Sequence, residues 1–158
     1  MLAAGASSRY GVSPPKQAVL LPAVLAALAR TSVDEVVVVA GAHEVPAGAR
    51  VVDCADWARG PGASLRCGLA ALPVEAEAAV VVLADGPDLD PRAVDRVIAS
   101  WREDGGAVVA AAYGGRRLHP VLLARPWAQV PDEGARTIEA RLVACDDLVP
   151  PGDVDERR

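Results

Sequence analysis

The sequence is short of the residue types on which several classes of protein depend. Phenylalanine is absent from the 158 residues and aromatic residues make up only 3%, so valine, leucine and alanine must fill the core that a 52% hydrophobic content allows. The net charge is −5 and no run of lysine and arginine occurs, which argues against binding of a polyanionic nucleic acid. A small anion remains compatible with this charge, because a few backbone N–H groups and one or two cations can hold it.

Cysteine and histidine are also scarce. With two histidines and no CxxC pair, the sequence offers no structural zinc site, and we interpret Cys54, Cys67 and Cys145 as reduced, partly buried thiols. No apolar run approaches the roughly 20 residues that span a bilayer, and residues 1–5 lack the basic start of a signal peptide. We therefore expect a single domain in the cytoplasm that binds no membrane.

Apolar runs alternate with helical patterns along the chain. Runs rich in valine and alanine predict strands buried on both faces at residues 36–40, 79–84 and 107–112, with shorter strands at 50–53 and 141–144. Helices are predicted at residues 22–29, 63–72 and 91–101, with Ser64 placed to cap the second and Asp90-Pro91 to start the third. This alternation predicts an α/β fold with a mostly parallel sheet, in which ligands bind outside the carboxyl ends of the strands.

Residues 2–11 form a loop of small side chains directly after a short apolar start. Small side chains let a phosphate approach the backbone amides, and Arg9 and Lys16 would add cationic contacts. The alternative interpretation is a solvated segment with two surface cations, because the stretch is neither a Walker A loop nor a GxGxxG motif.

The stretch from Leu2 to Gly11, followed by Pro15-Lys16, resembles the signature LAAGxSxRMGxxK of MobA/MocA-like nucleotidyltransferases. Further segments resemble the family in the same order: residues 60–69 (GxxxSLRxGL), 80–87 (LxxDxP) and 118–122 (GHPVL). The resemblance implies a three-layer, Rossmann-like α/β fold of the nucleotide-diphospho-sugar transferase type. It also implies transfer of a nucleoside monophosphate from a nucleoside triphosphate to a phosphorylated acceptor such as molybdopterin, with release of pyrophosphate. The sequence of residues 2–5, LAAG, is closer to the motif of the cytidylyltransferase branch of the family, which favours CTP over GTP.

The resemblance also implies roles for residues of the N-terminal loop and of the segment at 60–69. The loop that wraps the triphosphate corresponds to Leu2, Ala3, Ala4, Gly5, Ser7, Arg9 and Lys16. Lys16, assisted by Arg9, would neutralise the charge that develops at the α-phosphate. Ser64 and Gly68 would belong to the nucleotide site, in a helix whose N-terminal amides face the nucleotide. The alternative for these two residues is a capped helix start with close packing at Gly68.

Acidic residues at two places are candidate ligands of Mg²⁺, the implied cofactor. Asp85 ends the apolar run at 79–84 and would hold the metal against the triphosphate, which suits an ion that prefers one or two carboxylates and phosphate oxygens. The alternative is that Asp85 is a turn residue. Asp155 would be a second ligand, and its alternative is a frayed acidic tail.

The acceptor region is expected in the second half of the chain. His119 would lie near the acceptor, although a lone histidine in a short strand is often structural. Residues 132–136 are similar to a segment that opens a late helix in the family. The implied partners are a nucleoside triphosphate, a phosphorylated small-molecule acceptor and molybdoenzyme maturation proteins.

The sequence departs from the family pattern at several points. Tyr10 stands where the family has methionine, and residues 12–14 lengthen the path to Lys16. The family has a full strand before the loop and a helix after Asp155, so we expect one domain over residues 1–158 that is shortened at both ends. The rival hypotheses are a non-catalytic nucleotide- or pterin-binding relative and a sugar-phosphate nucleotidyltransferase. The first rival is distinguished by whether Lys16 and Asp85 can reach one α-phosphate.

Overall fold

A computed structural model describes residues 1–5, 16–45 and 48–152. The helices are α1 (Lys16–Leu28), α2 (Pro61–Ala71) and α3 (Pro91–Asp104). The strands are β1 (Val37–Ala40), β2 (Arg50–Asp53), β3 (Ala78–Val81), β4 (Val108–Tyr113), β5 (Arg116–Ala124) and β6 (Arg141–Ala144). None of the described helices is long and apolar enough to cross a membrane.

The strands form one mixed layer that is joined in its middle by the start of the chain. β1 and β2 pair in parallel, and the other strands follow the order β3-β5-β4-β6. Leu2 lies between the two groups and forms parallel bridges with Val39 of β1 and with Leu83, which follows β3. The layer therefore reads β2-β1-Leu2-β3-β5-β4-β6, and the predicted α/β fold with parallel strands is confirmed.

β5 is the exception to the parallel arrangement, because it runs antiparallel to both β3 and β4. Gly114 and Gly115 separate β4 from β5 and have φ values of 57° and 75°. Two glycines in this left-handed region make a tight hairpin turn, and a tight turn joins only antiparallel strands. The glycine pair that ends the third predicted strand is therefore also the cause of the antiparallel neighbour.

Helices cover both faces of the sheet. On one face, α1 and α3 pack on Val109, Ala111 and Leu122. On the other, Leu65 and Leu69 of α2 pack on a different set: Val81, Val108, Ala110, Val121 and Leu123. Alternate residues of β4 thus enter different clusters, as the pleat requires, and the predicted three layers are present.

The bounds of α1 and the structure at residues 132–136 differ from the sequence-based prediction. α1 begins at Lys16 rather than at Pro22, and Pro22 lies inside it. Proline removes one helical hydrogen bond, but Leu21, Val24 and Ala27 are buried on the same face, and this burial outweighs the local preference. The late helix expected at 132–136 is also wrong, since only a short 3₁₀ turn, Ala135–Thr137, forms there.

Of the two predicted helix caps, the one at the start of α3 is confirmed and the one at the start of α2 is wrong. Asp90 caps α3, because its side chain accepts a hydrogen bond from the N–H of Arg92 and Pro91 occupies the first turn. α2 begins at Pro61 after Gly60, so Ser64 is not its cap. Proline at the first helical position, with the φ of 128° at Gly60, starts this helix earlier than predicted.

The prediction of three free thiols is also wrong. Cys54 and Cys67 form a disulfide with their Cα atoms 5.9 Å apart, and Cys145 is free and buried. Cys54 follows β2 and Cys67 lies in α2, so the two residues become neighbours only when the helix packs beside the strand. Their spacing in the sequence carries no signal of this pairing.

Candidate active site

The candidate site lies where three parallel segments end at the same edge of the sheet. Ala3 donates its N–H to the carbonyl of Val39, and Leu2 donates to Val82. The chain start, β1 and the segment after β3 therefore run side by side. Gly5, Gly41 and Asp85, which follow these three segments, lie at the same edge of the sheet. The sequence-based expectation of a site at the carboxyl ends of the strands is consistent with this arrangement.

Lys16 and Asp85 meet at this edge as an ion pair. The Lys16 Nζ lies 3.0 Å from the Asp85 Oδ2, although 69 residues separate them in the chain. The Lys16 side chain is 7% exposed and that of Asp85 is 33% exposed. The chain's single lysine is thus held at the sheet edge, with its charge balanced by the Asp85 carboxylate in the segment that follows β3.

Gln17, which the sequence analysis did not single out, fixes the chain start to α1. Its Nε2 donates a hydrogen bond of 2.7 Å to the carbonyl oxygen of Gly5. The side chain is buried, and it follows Lys16 directly at the start of the helix. Two neighbouring residues of α1 therefore contact the two ends of the site, Gly5 and Asp85. Adjacency to Lys16 is the only sequence signal that could have indicated this role.

Gly41 allows the chain start to lie unusually close to its neighbours. A Cβ atom at Gly41 would lie 2.8 Å from the Cβ of Ala4 and 2.7 Å from the Cβ of Trp57. The N–H of Ala42 donates to the carbonyl of Ala4, which extends the ladder past the end of β1. Any side chain at Gly41 would therefore displace the Ala4–Gly5 backbone, so this glycine maintains the shape of the site.

The first N-terminal amides of α2, which the sequence analysis expected to face the nucleotide, donate hydrogen bonds within the protein. The N–H of Gly62 donates to the carbonyl of Asp132, and that of Ala63 donates to Gly60. A Cβ at Gly62 would overlap the carbonyl of Pro131, so glycine is what lets the later segment approach this helix end. The first amides of α2 are consumed by the protein itself.

Ser64 and Gly68 lie farther along α2. Ser64 is buried in the first turns of the helix. A Cβ at Gly68 would lie 2.8 Å from the Cγ2 of Val39, so Gly68 permits close contact between α2 and β1. This contact agrees with the packing alternative for Gly68, and a nucleotide contact by either residue remains a prediction.

His119 lies in β5 beside the carboxyl end of β3. Its Nδ1 is 3.1 Å from the carbonyl oxygen of Val81. Burial lowers the pKa of the imidazole, whereas the Val81 carbonyl and the charge of Asp85 act in the opposite direction. The ring is therefore neutral at pH 7, and a neutral ring bonded to a carbonyl through Nδ1 leaves Nε2 as an acceptor.

Three predicted site residues, Ser7, Arg9 and Asp155, lie outside the described residues. The described chain ends close to the predicted metal ligand, however. Asp88 donates its N–H to the carbonyl of Pro151, and a Cβ at Gly86 would lie 3.1 Å from the same oxygen. Pro151 therefore packs against the loop that carries Asp85.

The donor set at this edge is compatible with a hard divalent cation that a nucleotide helps to bind. Within residues 1–5, 16–45 and 48–152, no three Asp, Glu, His or Cys side chains come together as a metal cluster. Mg²⁺ does not need such a cage, because it commonly takes one or two carboxylates and completes its shell with phosphate oxygens and water. Asp85 fits this pattern, since its carboxylate is partly exposed at the sheet edge.

Comparison with protein families agrees with this geometry. The model of the MobA-like NTP transferase domain matches residues 1–144. The chain belongs to the MobA-like NTP transferase family. It is therefore a nucleotidyltransferase of the MobA-like kind. Comparison with curated proteins gives no match.

Solved structures with the same fold include mycobacterial members of this kind. A homolog of Mycobacterium tuberculosis Rv0371c from Mycobacterium sp. strain JC1 is 27% identical with a TM-score of 0.76, over 99% of this chain and 88% of that one. Rv0371c from Mycobacterium tuberculosis H37Rv is 26% identical with a TM-score of 0.77, over 98% of this chain and 90% of that one. Its complex with manganese aligns at 24% identity with a TM-score of 0.71, over 94% of this chain and 88% of that one.

A nucleotidyl transferase from Methanothermobacter thermautotroptrophicus, Mth528, is a more distant neighbour. It is 25% identical with a TM-score of 0.64, over 78% of this chain and 68% of that one. Together with the family match, these neighbours establish the nucleotide-diphospho-sugar transferase type of fold for this MobA-like chain.

Proposed function

We propose that this chain transfers a nucleoside monophosphate from a nucleoside triphosphate, CTP in preference to GTP, to a phosphorylated acceptor such as molybdopterin. The observation that carries the proposal is the Lys16–Asp85 pair, with the Lys16 Nζ and the Asp85 Oδ2 3.0 Å apart at the sheet edge where Gly5 also lies. Transfer at an α-phosphate is favoured by a cation that neutralises its negative charge and by a carboxylate that can bind a metal ion beside it, and this sheet edge offers both.

The reaction is an in-line displacement at the α-phosphorus. A phosphate oxygen of the acceptor forms the new P–O bond, the bond to the β-phosphate oxygen breaks, and pyrophosphate leaves with the electron pair. Lys16 neutralises charge on the α-phosphate, assisted by Arg9. The backbone of Leu2, Ala3, Ala4 and Gly5, together with Ser7, positions the triphosphate. No side-chain nucleophile takes part.

Asp85 is the proposed ligand of Mg²⁺, and Asp155 is the proposed second ligand. When bound, the metal screens the triphosphate and stabilises charge on the transferred group. Asp155 follows Gly152 by three residues, which span at most about 11 Å of extended chain, and Pro151 already packs beside Gly86. Rv0371c has been solved as a complex with manganese, which supports a divalent cation as the cofactor.

The remaining predicted contacts belong to the same proposal. Ser64 and Gly68 line the base or ribose side, and His119 lies on the acceptor side, where its neutral ring accepts a hydrogen bond. Molybdoenzyme maturation proteins are the proposed partners that receive the product, in the cytoplasm. The Cys54–Cys67 disulfide argues against the cytoplasm, because disulfides are rare in a reducing compartment.

A pyrophosphate-release assay tests the proposal. The chain would be incubated with Mg²⁺ and CTP or GTP, with and without molybdopterin, and NTP binding would be measured in parallel. Asp85→Asn should abolish turnover, whereas Asp88→Asn, in the same loop, is the matched control and should retain it. Turnover that depends on molybdopterin and is faster with CTP would support the full proposal.

Other outcomes would decide between the rivals. NTP binding without turnover would favour a non-catalytic nucleotide- or pterin-binding protein. Turnover with a sugar phosphate in place of molybdopterin would favour a sugar-phosphate nucleotidyltransferase. Absence of NTP binding would refute the assignment of this edge as a nucleotide site.

A further inference from the structure

The Cys54–Cys67 disulfide lies beside the sheet edge that holds the candidate active site. The N–H of Cys54 donates to the carbonyl of Ala40, the last residue of β1, and the N–H of Trp57 donates to the carbonyl of Cys54. Trp57 in turn packs on Gly41, where an added Cβ would lie 2.7 Å from the Cβ of the tryptophan. The first cysteine of the pair therefore anchors the turn that covers Gly41 at this edge.

The second cysteine of the pair lies in α2, the helix that packs beside the same edge. Cys67 follows Ser64 by three residues, so the two side chains lie on neighbouring positions of one helix face. Cys67 directly precedes Gly68, which makes the close contact with Val39 of β1. The disulfide therefore ties the turn after β2 to the helix that positions Ser64, and both parts border the proposed nucleotide site.

The two cysteines differ in exposure, and this difference sets the order of a thiol–disulfide exchange. Cys54 is only 2% exposed, whereas Cys67 is partly exposed on α2. An incoming thiolate therefore reaches the sulfur of Cys67, and Cys54 is the leaving thiolate. The Sγ of Cys54 lies 3.6 Å from the carbonyl oxygen of Ala63, so the thiol formed on reduction has an acceptor in place. The fold thus accommodates the reduced form as well as the disulfide.

The proposed cytoplasmic location is compatible with this disulfide only if the bond is reversible. Disulfides that do form in a reducing compartment are usually transient, and they serve either catalysis or redox sensing. The proposed transfer uses no side-chain nucleophile, so the two sulfur atoms have no catalytic step to perform. Redox sensing is the role that remains.

We propose that the Cys54–Cys67 disulfide is a reversible redox switch that sets the affinity of the site for the nucleoside triphosphate. This inference rests on the proposed function. The closed form binds the nucleotide more tightly, because the disulfide holds the turn after β2 and α2 in place before the nucleotide arrives.

Opening of the switch requires a dithiol reductant. Its first thiolate forms a mixed disulfide with Cys67 and releases Cys54 as a thiolate, which takes up a proton. Its second thiol then displaces Cys67, so the reductant leaves as a disulfide and the chain has gained two electrons and two protons. A low-molecular-weight disulfide such as oxidised glutathione reverses the reaction by the same steps.

The test compares nucleotide binding by the folded chain in its two redox states. Kd for CTP with Mg²⁺ is measured by isothermal titration calorimetry after treatment with oxidised glutathione or with dithiothreitol, and the thiol state is verified by mass. Reduction should raise Kd at least about fivefold, the lower end of couplings between two sites. By linkage, saturating CTP should raise the equilibrium constant for disulfide formation in a glutathione buffer by the same factor. A disulfide that only stabilises the fold would not respond to CTP in this way.

Two variants separate the switch from other effects of the reagents. The chain with both Cys54→Ala and Cys67→Ala should bind CTP like the reduced chain and should respond to neither reagent. Cys145→Ala, which removes the buried free thiol, is the matched control and should keep the full response. Circular dichroism of each form verifies that the chain is folded.

Three results would overturn the proposal. Equal Kd values in the two redox states would show that the disulfide does not act on the site. Unfolding of the chain on reduction would show that the disulfide is a structural crosslink. A disulfide that dithiothreitol does not open in the folded chain would show that no exchange takes place. Absence of CTP binding in both states is a different outcome, because it would refute the proposed nucleotide site itself and the switch with it.

Discussion

Lys16 is the residue whose position decides most about the proposed chemistry. Replacing it by methionine keeps the length of the side chain but removes the charge beside Asp85, which is partly exposed and stays hydrated. We expect kcat for pyrophosphate release to fall about 10²- to 10³-fold, the range seen when one stabilising group is removed from a developing charge. Arg30→Met, at an exposed arginine beyond α1, is the control and should leave kcat unchanged. An unaltered kcat in Lys16→Met would remove Lys16 from the mechanism.

Gln17 is expected to act on the site through position rather than charge. Gln17→Leu removes the hydrogen bond to Gly5 without leaving a charge uncompensated. The net value of such a bond is about 1 kcal/mol, so Kd for the nucleoside triphosphate should rise about fivefold. Isothermal titration calorimetry measures this change, and Gln129→Leu, at an exposed glutamine, is the matched control. Equal affinity in both variants would show that Gly5 does not need this support.

These two neighbouring residues illustrate how far sequence could predict the site. Lys16 belongs to a recognisable motif, and Asp85 ends an apolar run, so the motif identified the first as a candidate and strand-end reasoning the second. Gln17 belongs to no recognisable motif. Its role depends on a hydrogen bond to the carbonyl of Gly5, 12 residues earlier in the chain. The hydrogen bond of the Gly62 N–H could not be predicted for a related reason, since the carbonyl of Asp132 that accepts it is distant in sequence.

At the scale of elements, the contact between α2 and β1 leaves no room for a side chain at Gly68. Alanine is favoured over glycine in a helix by about 1 kcal/mol, but a Cβ here would lie 2.8 Å from the Cγ2 of Val39, which is fully buried. We expect Gly68→Ala to lower the free energy of unfolding by about 1–3 kcal/mol in urea denaturation.

The same experiment has an internal control in the partner residue. Val39→Ala removes the methyl group that the new Cβ would meet. The double variant should therefore lose less stability than the sum of the two single variants, because the two residues are in contact. Additive losses would show that the clash is relieved elsewhere.

The disulfide joins β2 to α2, the helix that bears Ser64. Cys54→Ala with Cys67→Ala opens a loop with a sequence separation of 13, and a loop of this size corresponds to about 3 kcal/mol of stability. Urea denaturation should show this loss, and mass spectrometry of the unreduced chain should show two hydrogens fewer than after reduction. Cys145→Ala is the single-site control. A mass that reduction does not change would restore the interpretation of three free thiols.

The elements themselves were predicted with uneven success, and the failures have local causes. The strands at 50–53 and 141–144 were placed as observed, because their apolar runs are bounded by polar residues and turns. β5 was anticipated only as a short strand around His119, because Arg116 and Arg117 break the apolar pattern of a strand that is nine residues long. The predicted start of α1 at Pro22 was wrong, because proline is favoured in the first turn of a helix. Burial of the residues around Pro22 keeps it inside α1 instead.

At the scale of the whole molecule, stability should depend on the charge of the chain's own amine. Burial lowers the pKa of the Met1 amine from 8.0 to about 6, while the same amine donates to Val37. Between these two values the unfolded chain holds a proton that the folded chain does not. The unfolded state is therefore favoured as pH falls, and folding stability rises with pH through this window.

Urea denaturation from pH 6 to pH 8 should show the free energy of unfolding rising by about 2 kcal/mol, which is most of what a pKa difference of this size can contribute. His119, whose pKa is also lowered, adds a similar slope only below its ordinary value of 6.5. Acetylation of the Met1 amine separates the two groups, because it should flatten the curve between pH 7 and 8 and leave the slope below pH 6.5. A slope between pH 7 and 8 that survives acetylation would show that the buried amine is not its source. If acetylation flattens it, the buried amine of Met1, at the point where the two halves of the sheet are joined, accounts for the pH dependence of stability in this range.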